Sequence, residues 1–418
     1  MAAEAGRDRL TSDRLAAWVA RVPSGQPTTR DAEFVAIVWV DYTLLATAAG
    51  SGNGLTDSAT VTAAVLPDLA LLTLRRWHDS LVARRPRVAE RVIDSLYADH
   101  GVRLFQQIVV PVKDQQDVRT IAAARAQANS LAAEARAGAD FADLARTRPQ
   151  APTDQSGGLL PVTRPGMLRP QFERAAWQIE PGAVAVVPTR EGFHVVRRPR
   201  LVDVHDRLRQ YAESLATGRS DSLYLDSLTT AKRLTVTEQA VPTLRAWFED
   251  PAASRTMTDP LVTWDGGRLG LAQLAPWVDL LPPRAYFDLR GASNLTLQQF
   301  VRQLGQQQLL LEEAMAAGAG APPASRAALD SSYLRSLRES LSLLGISDSG
   351  VLPGGVGSAR VVMLLDSLVA DKVRWRPLPS GLGAVLRERS GYRLHQAGIE
   401  TAVKAARERA TPEPASGQ

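Results

Sequence analysis

Helical spacing of apolar residues dominates both ends of the chain, and short β-rich runs occupy the stretch between them. Residues 34–49 and 300–317 are dense in Leu, Val, Ala and aromatic side chains and predict helices. Each closes on Ala-Ala-Gly (Ala48-Ala49-Gly50 and Ala316-Ala317-Gly318), with glycine as the helix stop. Residues 104–110 predict a strand, 114–136 a long Ala-rich helix and 140–146 a second, shorter helix. A polar, Gly-rich loop covers 153–158, and a further short strand is open at 158–162. Residues 170–179 predict a helix with Pro170 in its first turn. Two strands, 183–188 and 192–198, are joined by a turn at 189–191. The order β-α-α-β-α-β-β in about 100 residues predicts a compact α+β domain with a mostly antiparallel sheet.

Further helices are expected at 204–233, 331–344 and 359–372. The first carries apolar Leu208, Tyr211, Leu215, Leu223 and Leu228. Residues 250–260 read as a linker, 318–325 and 350–357 as breaker-rich loops, and 411–418 as a disordered tail.

An internal repeat frames this order. Arg9, Leu10, Leu15, Ala16, Trp18 and Val19 recur at one offset as Arg268, Leu269, Leu274, Ala275, Trp277 and Val278. Pro23 and Pro282 extend the match. The expectation is two copies of one α-helical module flanking the α+β domain.

Composition narrows the chemistry. The 418 residues are 45% hydrophobic and 22% charged, which is globular and not disordered. The net charge of +5 is small for this length. No basic stripe interleaved with aromatics accompanies it, so nucleic acid is not an expected partner. Cysteine is absent, which excludes disulfides, thiolate-bound metal and a thiol nucleophile. Five histidines make a His-rich metal centre improbable. No Gly-x-Ser-x-Gly elbow occurs, and Gly50-Ser51-Gly52-Asn53-Gly54 lacks the lysine of a phosphate loop. The run Arg84-Arg85-Pro86-Arg87 reads as a solvated loop. The start, MAAEAGRDRL, has no leader pattern. The apolar stretches at 61–74 and 361–369 are broken by Pro67, Asp68 and Asp366, so no integral membrane span is expected and a soluble chain is.

Four runs then occur in order. They are Gly138-Ala139-Asp140-Phe141-Ala142-Asp143-Leu144-Ala145, Gly157-Gly158-Leu159-Leu160, Gly166-Met167-Leu168-Arg169-Pro170-Gln171-Phe172-Glu173 with Ala175-Ala176-Trp177, and Thr189-Arg190-Glu191-Gly192-Phe193-His194-Val195-Val196. Together they resemble a parvulin-type (PpiC-like) peptidyl-prolyl cis-trans isomerase domain. The flanking modules resemble those of the SurA-type exported chaperones.

The resemblance implies four segments: a helical module at 1–100, the isomerase domain at 101–202, a helical connector and linker at 203–260, and a second helical module with a C-terminal extension at 261–418. It implies a proline pocket of Met167, Phe172 and Leu160. It implies a polar network of His194, Thr189 and a rim acid at Asp154. The first-strand histidine of the family falls on Gln107, which can hydrogen-bond but cannot titrate. The "GGDLG" turn loses its Asp and its last Gly to Leu159-Leu160-Pro161. The expected activity is isomerisation of X-Pro bonds in unfolded exported proteins. A holdase chaperone with a degenerate isomerase domain is the alternative. Expected partners are unfolded or proline-containing polypeptides, and neither metal nor organic cofactor is implied. The implied setting is periplasmic or otherwise exported, with a leader or lipid anchor outside this chain left open.

Overall fold

The structure is a computed structural model. It describes residues 1–22, 26–52, 54–98, 101–147, 156–250, 257–281, 283–346, 356–374, 376–379 and 381–410. The chain opens with β1 (Ala3–Ala5), β2 (Asp8–Leu10), α1 (Ser12–Val19), α2 (Thr29–Gly50), α3 (Ser58–Ala83) and α4 (Glu90–Ala98). β3 (Gln106–Pro111), α5 (Val118–Arg136), α6 (Phe141–Thr147), α7 (Pro170–Ala176), β4 (Val184–Thr189), β5 (Gly192–Arg197) and α8 (Leu201–Ala231) follow. The remainder is β6 (Thr235–Val236), α9 (Ala240–Glu249), β7 (Val262–Trp264), β8 (Gly267–Leu269), α10 (Leu271–Asp279), α11 (Pro283–Arg290), α12 (Asn294–Ala316), α13 (Pro323–Leu343), α14 (Val356–Val369), α15 (Leu382–Ser390), β9 (Tyr392–Leu394) and α16 (Gln396–Ala410).

Two compact units divide the chain. One is continuous, Arg84–Tyr224; the other joins Met1–Ala83 to Leu225–Gln418. The sequence ranges 1–100 and 203–260 therefore each straddle a boundary, and the two flanking copies share a unit.

The continuous unit is α+β. Its antiparallel sheet runs β3-β5-β4. Residues 159–163 extend it along the free edge of β3 through bridges Gln106↔Leu159 and Arg103↔Thr163, at the place left open for a fourth strand. Alternation sorts the side chains by face. Ile108, Val110 and Val195 meet Ala124, Ala128 and Leu131 of α5 and Phe141 and Ala145 of α6. Alanine at the helix positions lets α5 lie close to the sheet. On the other face Phe105, Val187 and Val196 meet Phe172 and Ala176 of α7, with Leu160 and Ile179. A third cluster joins Ile93 of α4 and Leu104 to Val204 and Leu208 of α8. The Arg84–Arg87 run is indeed loop, although Arg85 reaches Asp221 at 2.7 Å.

In the two-segment unit both flanking copies begin with a β-hairpin, an element that the expectation of α-helical modules did not include. Strands of three residues are too short to show alternation; the Asp265-Gly266 turn was the available signal. One continuous core holds Leu15, Trp18, Tyr42 and Leu45 together with Leu244, Leu274, Val301 and Val361. Asp41 and Arg387 form a doubly hydrogen-bonded pair within it at 2.8 Å. Burial pushes the Asp41 carboxyl up, against the pull of Arg387.

Two helices are long and apolar enough to cross a membrane, by length and composition only: α2, with 78% of its most apolar window buried inside the protein, and α3, with 39%. The expectation that no stretch reaches span length is corrected for both. α3 continues helically through Pro67 and Asp68, which had been read as breaks.

Candidate functional site

The site lies on the α7 face of the β3-β5-β4 sheet. His194 sits on β5 opposite Val109 of β3 and Val187 of β4. Gln107 and Thr189 each lie two residues from those partners, so the pleat turns all three side chains to one face. His194 Nε2 is 3.0 Å from Thr189 Oγ1, and Nδ1 is 3.2 Å from Gln107 Oε1. Thr189 Oγ1 also accepts from the Glu191 N–H at 3.2 Å and lies 3.3 Å from the Gly192 carbonyl.

Burial holds the His194 imidazole below its ordinary pKa; Glu191 opposes this and Arg169 adds to it. The ring is therefore neutral at pH 7, with one donor and one acceptor nitrogen. Two hydrogen-bond patterns fit. In one, Nδ1–H donates to Gln107 and the Thr189 hydroxyl donates to Nε2. In the other, the Gln107 amide is turned to donate to Nδ1, Nε2–H donates to Thr189, and the hydroxyl donates to the Gly192 carbonyl. An amide satisfies either pattern without changing charge, which is what Gln107 contributes in place of a titrating group.

The apolar part adjoins this network. The Phe172 ring meets His194 edge-on, with centroids 5.1 Å apart. Phe172 and Leu160 are buried in one cluster. Leu160 is held there because its N–H donates to the Phe105 carbonyl at 2.8 Å and Gly158 accepts from Gln107 N–H at 2.8 Å. Gly158 has φ +74°, and a Cβ there would stand 2.5 Å from the Gln107 carbonyl oxygen, so only glycine permits this approach.

Met167 departs from the expected pocket. It is 61% exposed and stands outside the cluster, where its neighbour Leu168 packs instead. Asp154, the expected rim acid, lies outside the described residues.

One residue that the sequence reading did not single out shapes the site. The Glu173 carboxylate accepts from Gly166 N–H at 2.9 Å and Leu168 N–H at 3.1 Å, fastening the Met167 loop to α7. The Glu after Phe172 in the motif was its signal. Arg169 and Glu191 form an exposed ion pair above His194. Among the described residues no group of three or more carboxylates and histidines is placed to hold a metal ion.

These features sit in a domain of known type. Residues 99–199 match the family model for the PPIC-type PPIASE domain, so the continuous unit carries a parvulin-type domain. The chain is similar to Chaperone SurA of Ralstonia nicotianae (strain ATCC BAA-1114 / GMI1000), 35% identical over 137 residues that are 30% of this chain and 28% of that protein. It is similar likewise to Chaperone SurA of Cupriavidus metallidurans (strain ATCC 43123 / DSM 2839 / NBRC 102507 / CH34), 36% identical over 93 residues, 22% of this chain and 19% of that one. The match thus spans less than a third of either relative's length. Among solved structures, PrsA from Bacillus subtilis is 18% identical with a TM-score of 0.25, over 37% of this chain and 57% of that one. A PpiC-type peptidyl-prolyl cis-trans isomerase domain is 23% identical with a TM-score of 0.21, over 24% and 94%.

Proposed function

We propose that the protein is a peptidyl-prolyl cis-trans isomerase and folding factor that acts on X-Pro bonds of unfolded, exported polypeptides. The observation that carries this reading is the neutral His194, hydrogen-bonded on both nitrogens to Gln107 and Thr189 while its ring edge meets Phe172. Rotation about X-Pro crosses a barrier of about 20 kcal/mol because the twisted amide loses resonance. No proton has to be transferred. The work is to hold the proline ring in an apolar wall and to favour the twisted amide over the planar one. Phe172 and Leu160 supply the wall. Thr189 and His194 present polar groups whose pattern can reorganise as the amide turns. Both wall residues are closely packed, so proline entry requires them to part, with exposed Met167 and Leu168 as the outer contact.

A protease-coupled prolyl-peptide assay tests it. Wild-type protein is expected to accelerate isomerisation, Phe172→Ala to lose roughly tenfold or more, about 1.4 kcal/mol of transition-state stabilisation, and His194→Gln to fall likewise. A wild-type rate equal to the uncatalysed one would sink the enzymatic reading. A second reading, a holdase whose parvulin domain only binds, is favoured by that close packing and by Gln107. It predicts no acceleration but retained suppression of client aggregation.

A further inference from the structure

The repeat extends beyond its sequence match. At one offset of 259, Ala3 of β1 corresponds to Val262 of β7, Asp8 of β2 to Gly267 of β8, and Ser12 of α1 to Leu271 of α10. Leu10, Leu15 and Val19 are buried, and so are Leu269, Leu274 and Val278. Each hairpin gains a third, antiparallel strand on the same edge: β9 pairs with β1 through Ala3↔Leu394, and β6 pairs with β7 through Val236↔Val262.

These closing strands are copies too. Leu394 and Val236 occupy matching register positions, at an offset of 158. At that offset Gly391, with φ 75°, matches Arg233, with φ 50°, so a residue of positive φ precedes each strand. The helices that follow, α16 and α9, bury Ala402 and Ala406 where the other has Leu244 and Phe248.

Chain order crosses the partners. The first hairpin is followed by β6-α9 and the second by β9-α16, yet β6 closes the second hairpin and β9 the first. Spacing shows what separates the copies. Val236 lies 233 residues after Ala3, and Leu394 lies 132 after Val262. The difference is 101 residues, which is the length of the matched isomerase domain, 99–199. Without it both copies run hairpin, helices, positive-φ residue, strand, helix over equal lengths.

We infer that the chain is two tandem copies of one module that exchange their closing strand and helix, with the isomerase domain an insertion in the first copy only. The chain is then a single-chain counterpart of an exchanged dimer. Neither hairpin is complete without the other half, and one isomerase domain serves two modules.

The absence of native cysteine makes a direct test clean. A specific protease site is placed between Asp250 and Met257, and cysteine pairs are introduced across the strands. Glu4 lies opposite Arg393, and Thr235 opposite Thr263. After oxidation and complete cleavage, Glu4→Cys with Arg393→Cys is expected to run as one band without reductant and two bands with it, and Thr235→Cys with Thr263→Cys to do the same. The pair Arg393→Cys with Thr263→Cys, which an unexchanged arrangement would bring together, lies wholly on the C-terminal side of the cut and is read by thiol labelling: both cysteines are expected to stay open to a maleimide reagent after oxidation. An intact disulfide in that pair, with the crossing pairs separating, would overturn the exchange. So would cleaved cysteine-free halves that part in native buffer and each melt cooperatively alone.

Discussion

The two units bury their apolar surface in different ways. The two-segment unit gathers its large side chains into one continuous core around α2, with Leu45 and Val40 fully enclosed. The isomerase unit divides a smaller core among three clusters, two of them separated by a three-stranded sheet. The continuous core admits polar side chains as fixed pairs such as Asp41 with Arg387 and as small hydroxyls such as Thr43 and Ser340. A divided core leaves seams, and the His194 network occupies the edge of one. The polar network therefore borders the apolar cluster that holds Phe172.

The largest effect that would sharpen this contrast is in the continuous core. Asp41→Ala removes the two hydrogen bonds that its carboxylate accepts from Arg387 and is expected to cost about 3–5 kcal/mol. Calorimetry should show the melting of the two-segment unit lowered and that of the isomerase unit unchanged; a uniform shift of both would break the comparison. Phe141→Ala, in the α5–α6 cluster, is expected to cost about 3–4 kcal/mol and to lower the isomerase unit alone. Thr189→Val leaves His194 Nε2 and the Glu191 N–H without their partner. It should cost about 1–3 kcal/mol, read by denaturant unfolding, and should reduce any isomerase rate.

Titration of His194 gives a smaller, signed effect. Its folded pKa lies below the unfolded value near 6.5, so the unfolded chain binds more protons in that interval. Stability of the isomerase unit is therefore expected to fall as pH drops through 6.5, the loss being complete below the folded pKa. His194→Gln should flatten that slope in melting curves taken between pH 8 and 5; an unchanged slope would remove His194 as its source. The smallest change is Arg169→Ala. Its ion pair with Glu191 is open to solvent, and stability should shift by less than about 1 kcal/mol.

Much of the isomerase unit was legible because its motifs are local. Pro170 starts α7 where proline belongs, at the first helical position. The Gly157-Gly158 pair marks a backbone approach that a side chain would block. Gln107 and His194 were paired through the family resemblance alone; the register of β3 on β5 that turns them to one face is a property of the folded sheet. Met167 was only partly legible: its position on a turn is local, but whether it packs inward depends on Leu168 competing for the same cluster. Glu173 went unassigned because its role, tying the loop 166–168 to α7, exists only once the loop has folded back.

The residues by themselves determined which segments become helix or strand in the isomerase unit, the glycine and proline positions that shape its turns, and the repeat that marks two related modules. Those depend on neighbours a few residues apart, or on a pattern that recurs. Tertiary structure alone decided which strand closes which hairpin, that both modules share a single core, and that Met167 stands outside the cluster that holds Phe172. Strands of two or three residues carry too little pattern to select a partner, whether it lies 26 residues on, as Val262 from Val236, or 391, as Leu394 from Ala3. That choice is made by the packing of α16 on α1 and by backbone pairing at a free edge, and both exist only when the halves are folded together.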